Sequence, residues 1–203
     1  SGLEIPEGGY RGEYLIDLTQ SIIDAEGDKY LKFSGAERVD AFRHIGVKRI
    51  LQSQKASLKR FGVDFDVWTS EDLLRHSGKA DKIVETLRQG GYLYDADGAT
   101  WFRMTDFGDD KDRVVVKSDG EYTYFVPDAA YHQDKFERGF VKAIDLLGPD
   151  HQGHAAHLQN FVRALGLDCD WLEISIIQQV NLIDQDGNRI DVSKRRGQFL
   201  TLD

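Results

Sequence analysis

Two apolar segments on either side of a helical pattern constrain the fold of this chain most strongly. The segments KAIDLLG (142–148) and WLEISIIQQV (171–180) are typical of buried strands, and residues 152–165 between them carry a helical pattern. A strand–helix–strand connection of this length joins parallel neighbours through a right-handed crossover. The pattern therefore predicts an α/β fold that contains a parallel sheet with helices packed on it.

Apolar periodicity and turn residues predict the remaining elements. Helices are predicted at 14–26, 36–60, a short segment capped by Thr69 or Ser70, 78–91, and from Asp128 to Gly139. Strict alternation in VDFDVW (63–68) predicts a strand. Turn dipeptides such as Asp97-Gly98 divide residues 92–125 into short segments, which predicts a β-rich meander that ends in the strand YTYF. Asp186-Gly187 predicts a hairpin.

Composition limits the class of protein. The 203 residues are 40% hydrophobic and 30% charged, which is typical of one soluble globular domain. A net charge of −9 argues against a surface devoted to nucleic acid, and no apolar run approaches the ~18 residues that would span a membrane. The single Cys169 favours a reducing, cytoplasmic setting. Because the chain begins Ser1-Gly2 without Met, we expect it to be an excised piece of a longer protein.

The segment GPDHQGH (148–154) is the first candidate site, because it follows a predicted parallel strand and begins a predicted helix. Ligands of open α/β sheets bind outside the carboxyl ends of the strands, and a helix N-terminus attracts anions. A glycine in such a loop allows a ribose or a flat ring to approach the backbone, and a carboxylate can hold ribose hydroxyls. The alternative interpretation is an ordinary strand–helix turn rich in polar caps.

His151, His154 and His157 suggest a metal cluster, and a zinc hydrolase remains an alternative on this spacing alone. Residues i and i+3 share a helix face, but residue i+6 has rotated well round the helix. No HExxH pattern accompanies these histidines. We therefore expect no zinc and assign no metal ligand.

Two charged stretches are further candidate sites, and each also has a simpler interpretation. Ser193, Lys194, Arg195 and Arg196 precede Gly197, and cations in a loop of this kind can neutralise a leaving pyrophosphate, although a solvated charge run is the simpler interpretation. GDDKD (108–112) could hold a metal or supply an acid–base pair. It lacks the residue order of a calcium loop, so the prediction is a tight polar turn.

Long stretches of the chain resemble the catalytic domain of bacterial arginyl-tRNA synthetases. The resemblance rests on residues 91–140, from GYLYDADGATWFRM to DKFERGF, and on four shorter segments in family order: GGYRGEYLIDL, FGVDFDVWTSE, GPDHQGH and VSKRRGQFLTLD. It implies a partial class I Rossmann-like fold with N-terminal helices. Residues 1–203 would be part of one catalytic domain, 92–125 a β-rich insertion, and 126–203 the second half of the nucleotide-binding fold with its KMSKS-type loop.

The resemblance also implies roles for individual residues. Arginine would be bound by Tyr124, Asp128 and Gln152, with the Asp128 carboxylate pairing with the guanidinium. ATP would be bound by Gly148, Asp150, His154, Val180, Lys194 and Arg195. Ser193 and Lys194 match the KMSKS loop and would act in catalysis.

The implied reaction belongs to the whole enzyme. Such an enzyme forms arginyl-adenylate from arginine and ATP with Mg²⁺, and then transfers the arginine to tRNA(Arg). Because the HIGH signature of class I enzymes precedes the GGYRGEY-like segment in this family, we expect the isolated chain to be inactive in ATP–pyrophosphate exchange. His44-Ile45-Gly46-Val47 is one letter short of HIGH, but it lies inside a predicted helix without a preceding strand, so we interpret it as a chance match.

Two departures from the family pattern leave an alternative function open. Asp191 stands where the KMSK sequence has its first lysine, and the family's GADHHGY reads GPDHQGH here. The chain could instead be a non-catalytic paralogue that binds arginine or a nucleotide. In either case half of a Rossmann sheet leaves an unpaired edge and an uncovered face, so we expect the chain to self-associate or to rearrange to cover them.

Overall fold

The computed structural model describes residues 13–178, 180–190 and 202. The chain divides into two compact units, residues 1–67 with 181–203, and residues 68–180. All predicted site residues between positions 124 and 180 belong to the second unit.

The first unit is built on two helices, α1 (Glu13–Glu26) and α2 (Gly35–Arg60), as the periodicity predicted. Ser34 caps α2: its hydroxyl accepts from the Glu37 backbone N–H, and the Glu37 carboxylate accepts from the Ser34 N–H. Between the helices lies a 3₁₀ turn (Lys29–Lys32), where the buried Tyr30 donates to Glu26. The turn predicted at Asp186-Gly187 is present, with Ile183 and Arg189 bridged across it.

The strand predicted at 63–68 is wrong. These residues form no strand, and Phe65 and Val67 are both about half exposed. Alternation gives a strand only where a neighbouring strand supplies hydrogen bonds, and none pairs with this segment within the described residues. The segment is an extended connection.

The second unit contains four helices and five strands in the described residues. The helices are α3 (Glu71–His76), α4 (Lys79–Gln89), α5 (Phe125–Glu137) and α6 (Gln152–Ala164). The strands are β1 (Leu93–Ala96), β2 (Ala99–Phe102), β3 (Arg113–Val116), β4 (Ala143–Leu147) and β5 (Leu172–Ile176). Ser70 is the residue that caps α3, through its side chain and the Leu73 N–H.

The predicted β-rich meander is an antiparallel sheet in the order β1-β2-β3. Asp97 and Gly98 both have positive φ, 53° and 75°, as a tight two-residue hairpin turn requires. The strand predicted at YTYF is reduced to one bridge between Val116 and Tyr122. Helix α5 begins at Phe125, earlier than the periodicity indicated, because the buried Phe125 and Val126 pack as helical residues into the core.

The main core lies between α4, the antiparallel sheet, α5 and α6. Phe102 is fully buried and its ring stacks on Phe161 with centroids 4.6 Å apart. Phe125 packs against Phe161 at 5.6 Å, and Leu87 of α4 is also fully buried. This core fixes the first turns of α5 and α6, which carry the predicted site residues.

The predicted parallel strand pair is confirmed. β4 and β5 pair in parallel, with Ala143 opposite Leu172 and Leu147 opposite Ile176. The prediction that both strands are buried is wrong for one face: Ile144 is 57% exposed and Leu146 is 68% exposed. The other face packs on the helices, and within the described residues nothing covers the Ile144 face.

This uncovered face leads to a prediction about association. We expect the chain to form dimers or larger species, because exposed apolar strand residues gain free energy when they are buried against one another. The double variant Ile144→Lys/Leu146→Lys should shift the population toward monomer in sedimentation velocity. Leu73→Lys, at a 65% exposed position on α3, is the matched control and should leave the distribution unchanged. A monodisperse monomer before substitution would contradict the prediction.

Candidate functional site

The polar loop after β4 lies at the carboxyl edge of the parallel strands. Gly148 follows directly on Leu147, a short 3₁₀ turn covers Pro149–His151, and α6 begins at Gln152. The Ile177 N–H donates to the Leu147 carbonyl at 2.8 Å, so the carboxyl ends of the two strands lie side by side. This is the edge at which ligands of open α/β sheets bind.

The side chains of this loop are open to solution. The Asp150 side chain is 76% exposed, and Gln152 is also exposed. A Cβ added at Gly148 would lie 2.7 Å from the Asp150 carboxylate, so glycine allows this close approach. Val180, which follows β5, is 88% exposed.

Tyr124 and Asp128 lie one turn apart at the start of α5. The Asp128 N–H donates to the Tyr124 carbonyl at 3.2 Å, which places both side chains on one face of the helix. Tyr124 is 54% exposed and the Asp128 side chain is 41% exposed. A carboxylate in the first turn is favoured by the helix dipole and remains accessible to a dissolved cation.

His154 joins the two predicted groups of site residues. Its Nε2 lies 2.8 Å from Oδ2 of Asp128, and its ring lies 5.0 Å from the Tyr124 ring. The resemblance implied that His154 binds the nucleotide, whereas the structure places its imidazole against the carboxylate of Asp128. Spacing along the chain gives no signal for this pair, because its members are 26 residues apart on different helices.

A buried ion cluster anchors the first turn of α5 to β4. His132 Nδ1 lies 2.7 Å from the Asp128 carbonyl oxygen, and His132 Nε2 lies 2.7 Å from Asp145 Oδ2. Lys135 Nζ donates to Asp145 Oδ1, also at 2.7 Å. Burial raises the pKa of Asp145, but the hydrogen bonds and charges of His132 and Lys135 outweigh it and hold that pKa at about 2.

The predicted polar turn at 108–112 contributes a buried carboxylate. His157 Nε2 lies 2.9 Å from Asp109 Oδ2, and Arg113 donates to Asp109 Oδ1 at 2.9 Å. Burial raises the pKa of Asp109, but the hydrogen bonds from Asp110 and Arg113 outweigh burial and lower that pKa to about 2. Burial is also the main reason that the pKa of His157 is lowered. No pattern along the chain predicted that Asp109 and His157 would be buried against each other.

The three histidines that suggested a metal site point to different carboxylates. His151 Nε2 lies 3.7 Å from Asp150, His154 contacts Asp128, and His157 contacts Asp109. Across residues 13–178 and 180–190, no three His, Cys, Asp or Glu side chains are grouped so that they could hold a metal ion.

Three predicted site residues, Ser193, Lys194 and Arg195, lie outside the described residues. His44-Ile45-Gly46-Val47 lies in the middle of α2, with His44 exposed and its Nδ1 2.9 Å from the Asp40 carbonyl. The prediction that this sequence lies inside a helix is confirmed. Among the described helices, none has the length and apolar character needed to cross a membrane.

Comparison with known proteins places these features in a family. Residues 20–203 match the family model for the catalytic domain of class I (R) tRNA synthetases. An arginine–tRNA ligase of Anoxybacillus flavithermus is 49% identical over 98% of the chain, and one of Bacillus subtilis is 46% identical over 99%. The chain spans about a third of these relatives, 36% of each.

Solved structures agree with this comparison. A Campylobacter jejuni protein, solved as a candidate arginyl-tRNA synthetase, superposes over 100% of the chain and 43% of its own length, with a TM-score of 0.86 and 29% identity. Thermus thermophilus arginyl-tRNA synthetase shares the fold over 80% of the chain and 34% of its own, with a TM-score of 0.59 at 16% identity. The chain belongs to the family of class I tRNA synthetase catalytic domains represented by the arginine–tRNA ligases.

Proposed function

We propose that this chain forms part of an arginine–tRNA ligase and supplies the guanidinium-binding side of its arginine site. The whole enzyme would activate arginine with ATP to arginyl-adenylate and esterify tRNA(Arg) in the cytoplasm. The names of the relatives that match nearly the whole chain support this assignment. The enzyme would act in protein biosynthesis.

The observation that carries the proposal is the half-exposed Asp128 carboxylate beside the loop at the carboxyl edge of β4. A guanidinium presents a planar fork of N–H donors that matches a carboxylate bidentately. Tyr124 and Asp128 share one helix face, and the contact between Asp128 and His154 brings that face to the start of α6, where Gln152 lies. An amino acid held at Asp128 would therefore lie close to a nucleotide held by the loop.

The nucleotide side of the proposal rests on the same loop. Gly148 would let adenosine approach the backbone, the exposed Asp150 would accept from ribose hydroxyls, and Val180 would meet the adenine ring. Lys194 and Arg195 would neutralise the ATP phosphates during attack by the arginine carboxylate, and Ser193 would contact the phosphates. Mg²⁺ would be held largely by those phosphates and by water, as it is in many nucleotide sites.

Arginine binding tests the proposal. We expect calorimetry to show that the chain binds arginine but not citrulline, which has the same length and a neutral ureido group. Asp128→Asn should weaken arginine binding about tenfold to a hundredfold, because a hydrogen bond to a charged group is worth about 1.5–3 kcal/mol. Asp72→Asn, which removes a charge from an exposed side chain on α3, is the control and should have no effect. Equal binding of arginine by the Asp128→Asn variant, or of citrulline by the unsubstituted chain, would contradict the proposed site.

A further inference from the structure

We infer that His154 is a positioning residue that selects a guanidinium over an ammonium at Asp128. The inference rests on the proposed arginine site and adds a residue to it. The imidazole Nε2 is 2.8 Å from Asp128 Oδ2, and the His154 side chain is only 13% exposed. A mostly buried ring thus contacts one oxygen of a carboxylate that is itself 41% exposed.

The hydrogen bond defines which imidazole nitrogen carries the proton. An ionised carboxylate only accepts hydrogen bonds, so Nε2 must be the donor. His154 Nδ1 is buried and has no hydrogen-bond partner among the described residues. A proton on Nδ1 would bury an unpaired N–H. We therefore assign Nε2 as the nitrogen that donates to Asp128.

The hydrogen bond from His154 reaches Oδ2, which leaves Oδ1 of Asp128 available to a ligand. The other groups around the imidazole are the rings of Tyr124, Phe125, His151 and His157, with centroids 5.0, 5.6, 6.5 and 6.2 Å away. Among the contacts that the described residues make with the imidazole, Asp128 is the only carboxylate. The packed rings keep the imidazole in place, and the imidazole in turn fixes the rotation of the carboxylate.

Fixing the carboxylate favours a bidentate ligand. Each carboxylate oxygen has two lone pairs, so Oδ2 can accept from His154 and still accept one N–H of a guanidinium while Oδ1 accepts the other. A planar fork needs both oxygens in one orientation, whereas an ammonium is a point charge that tolerates any orientation. Losing the His154 hydrogen bond should therefore weaken arginine binding more than lysine binding.

Two variants separate the hydrogen bond from the packing. His154→Gln keeps an N–H donor at similar reach, and His154→Phe keeps a ring without the donor. In calorimetric titrations we expect His154→Gln to bind arginine within about twofold of the unsubstituted chain, and His154→Phe to bind it about tenfold more weakly, the loss of one charge-assisted hydrogen bond. Lysine binding should change by less than about threefold in both variants, because only the orientation is lost.

A second measurement on the unsubstituted chain does not depend on the variants. Two-bond ¹H–¹⁵N spectra of the imidazole should show Nε2 protonated and Nδ1 bare at pH 8.

Thermal melting of both variants shows whether packing has been lost. A purely structural role would lower the melting temperature of both variants and would change arginine and lysine binding equally.

The possible outcomes are distinct. An Nδ1-protonated tautomer, arginine binding that His154→Phe leaves unchanged, or equal losses for arginine and lysine would each overturn the inference while leaving the proposed site intact. Absence of arginine binding by the unsubstituted chain would contradict the proposed site itself, and this inference with it. Selective loss in His154→Phe with rescue in His154→Gln would support it.

Discussion

Replacing Phe102 by alanine is expected to lower the free energy of unfolding of this chain by about 3–5 kcal/mol, the usual cost of deleting a buried aromatic ring. Phe102 has no exposed surface and lies at the centre of an aromatic cluster. Its centroid is 4.6 Å from that of Phe161, 5.5 Å from Phe107 and 6.4 Å from Tyr92. Alanine would leave a cavity. Neither β2 nor α6 can move to fill it, because each is held in place by other contacts.

The measurement is urea unfolding of Phe102→Ala beside a matched Phe140→Ala variant. Phe140 is 53% exposed, and the hydrogen bond from Trp171 Nε1 goes to its backbone carbonyl, which alanine keeps. We expect the control to cost less than about 1 kcal/mol, mainly through the weak contact of its ring with Arg138. The free energy of unfolding of a domain of this size is about 5–15 kcal/mol, so Phe102→Ala should remove a large part of that stability. If the two variants lost the same free energy of unfolding, Phe102 would not be part of the stabilising core.

The second large effect is expected at Asp145, which anchors the start of α5. Asp145→Asn should cost about 2–4 kcal/mol, because breaking a buried ion pair leaves charges without compensation. The Asp145 side chain is 10% exposed, and its partners His132 and Lys135 are 4% and 17% exposed. Asparagine keeps the shape of the side chain but has only one acceptor oxygen. In Asp145, His132 and Lys135 each contact a separate carboxylate oxygen.

An exposed ion pair on the same sheet provides the control. Glu173 of β5 lies 2.6 Å from Lys142, and both side chains are 49% exposed. Glu173→Gln should change the free energy of unfolding by less than about 1 kcal/mol, because water screens such pairs. A loss at Asp145 no larger than the loss at Glu173 would show that burial does not strengthen the cluster.

The pH dependence of the Asp145 effect has a defined sign. Its folded-state pKa is about 2, below its ordinary value of 3.8, so folding favours the ionised carboxylate. The resulting stabilisation is complete well above pH 4 and is lost as the pH falls toward 2. The difference in unfolding free energy between the unsubstituted chain and Asp145→Asn should therefore shrink as the pH falls from 4 toward 2. A difference that stays constant down to pH 2 would refute this account.

The stability of this cluster also bears on the proposed site. His132 connects the Asp145 carboxylate to the backbone carbonyl of Asp128, so the first turn of α5 and the strand β4 are held together at the residue proposed to meet arginine. We expect Asp145→Asn to affect that turn first, before the aromatic core loosens. The positions of Phe102 and Asp145 in different parts of the same unit make their effects separable.

The sequence by itself determined the type and order of most elements. Periodicity located α1, α2 and α4, turn dipeptides located the antiparallel sheet, and two apolar segments around a helix predicted the parallel pair β4–β5. These features depend on neighbours three or four positions apart, or on the preference of glycine for positive φ, and such short-range causes are written in the sequence. The resemblance to a known family supplied the residues of the proposed site, which local pattern alone would not have distinguished from a polar turn.

Only the tertiary structure decided which of these residues meet. The alternation at 63–68 gave no strand because no partner strand is present beside it in the described residues, and Ile144 is exposed although its segment reads as buried. The contact of His154 with Asp128 and the burial of Asp109 against His157 join side chains from separate elements. Burial and pairing depend on what packs across the interior, and no spacing along the chain encodes the distance between two helices.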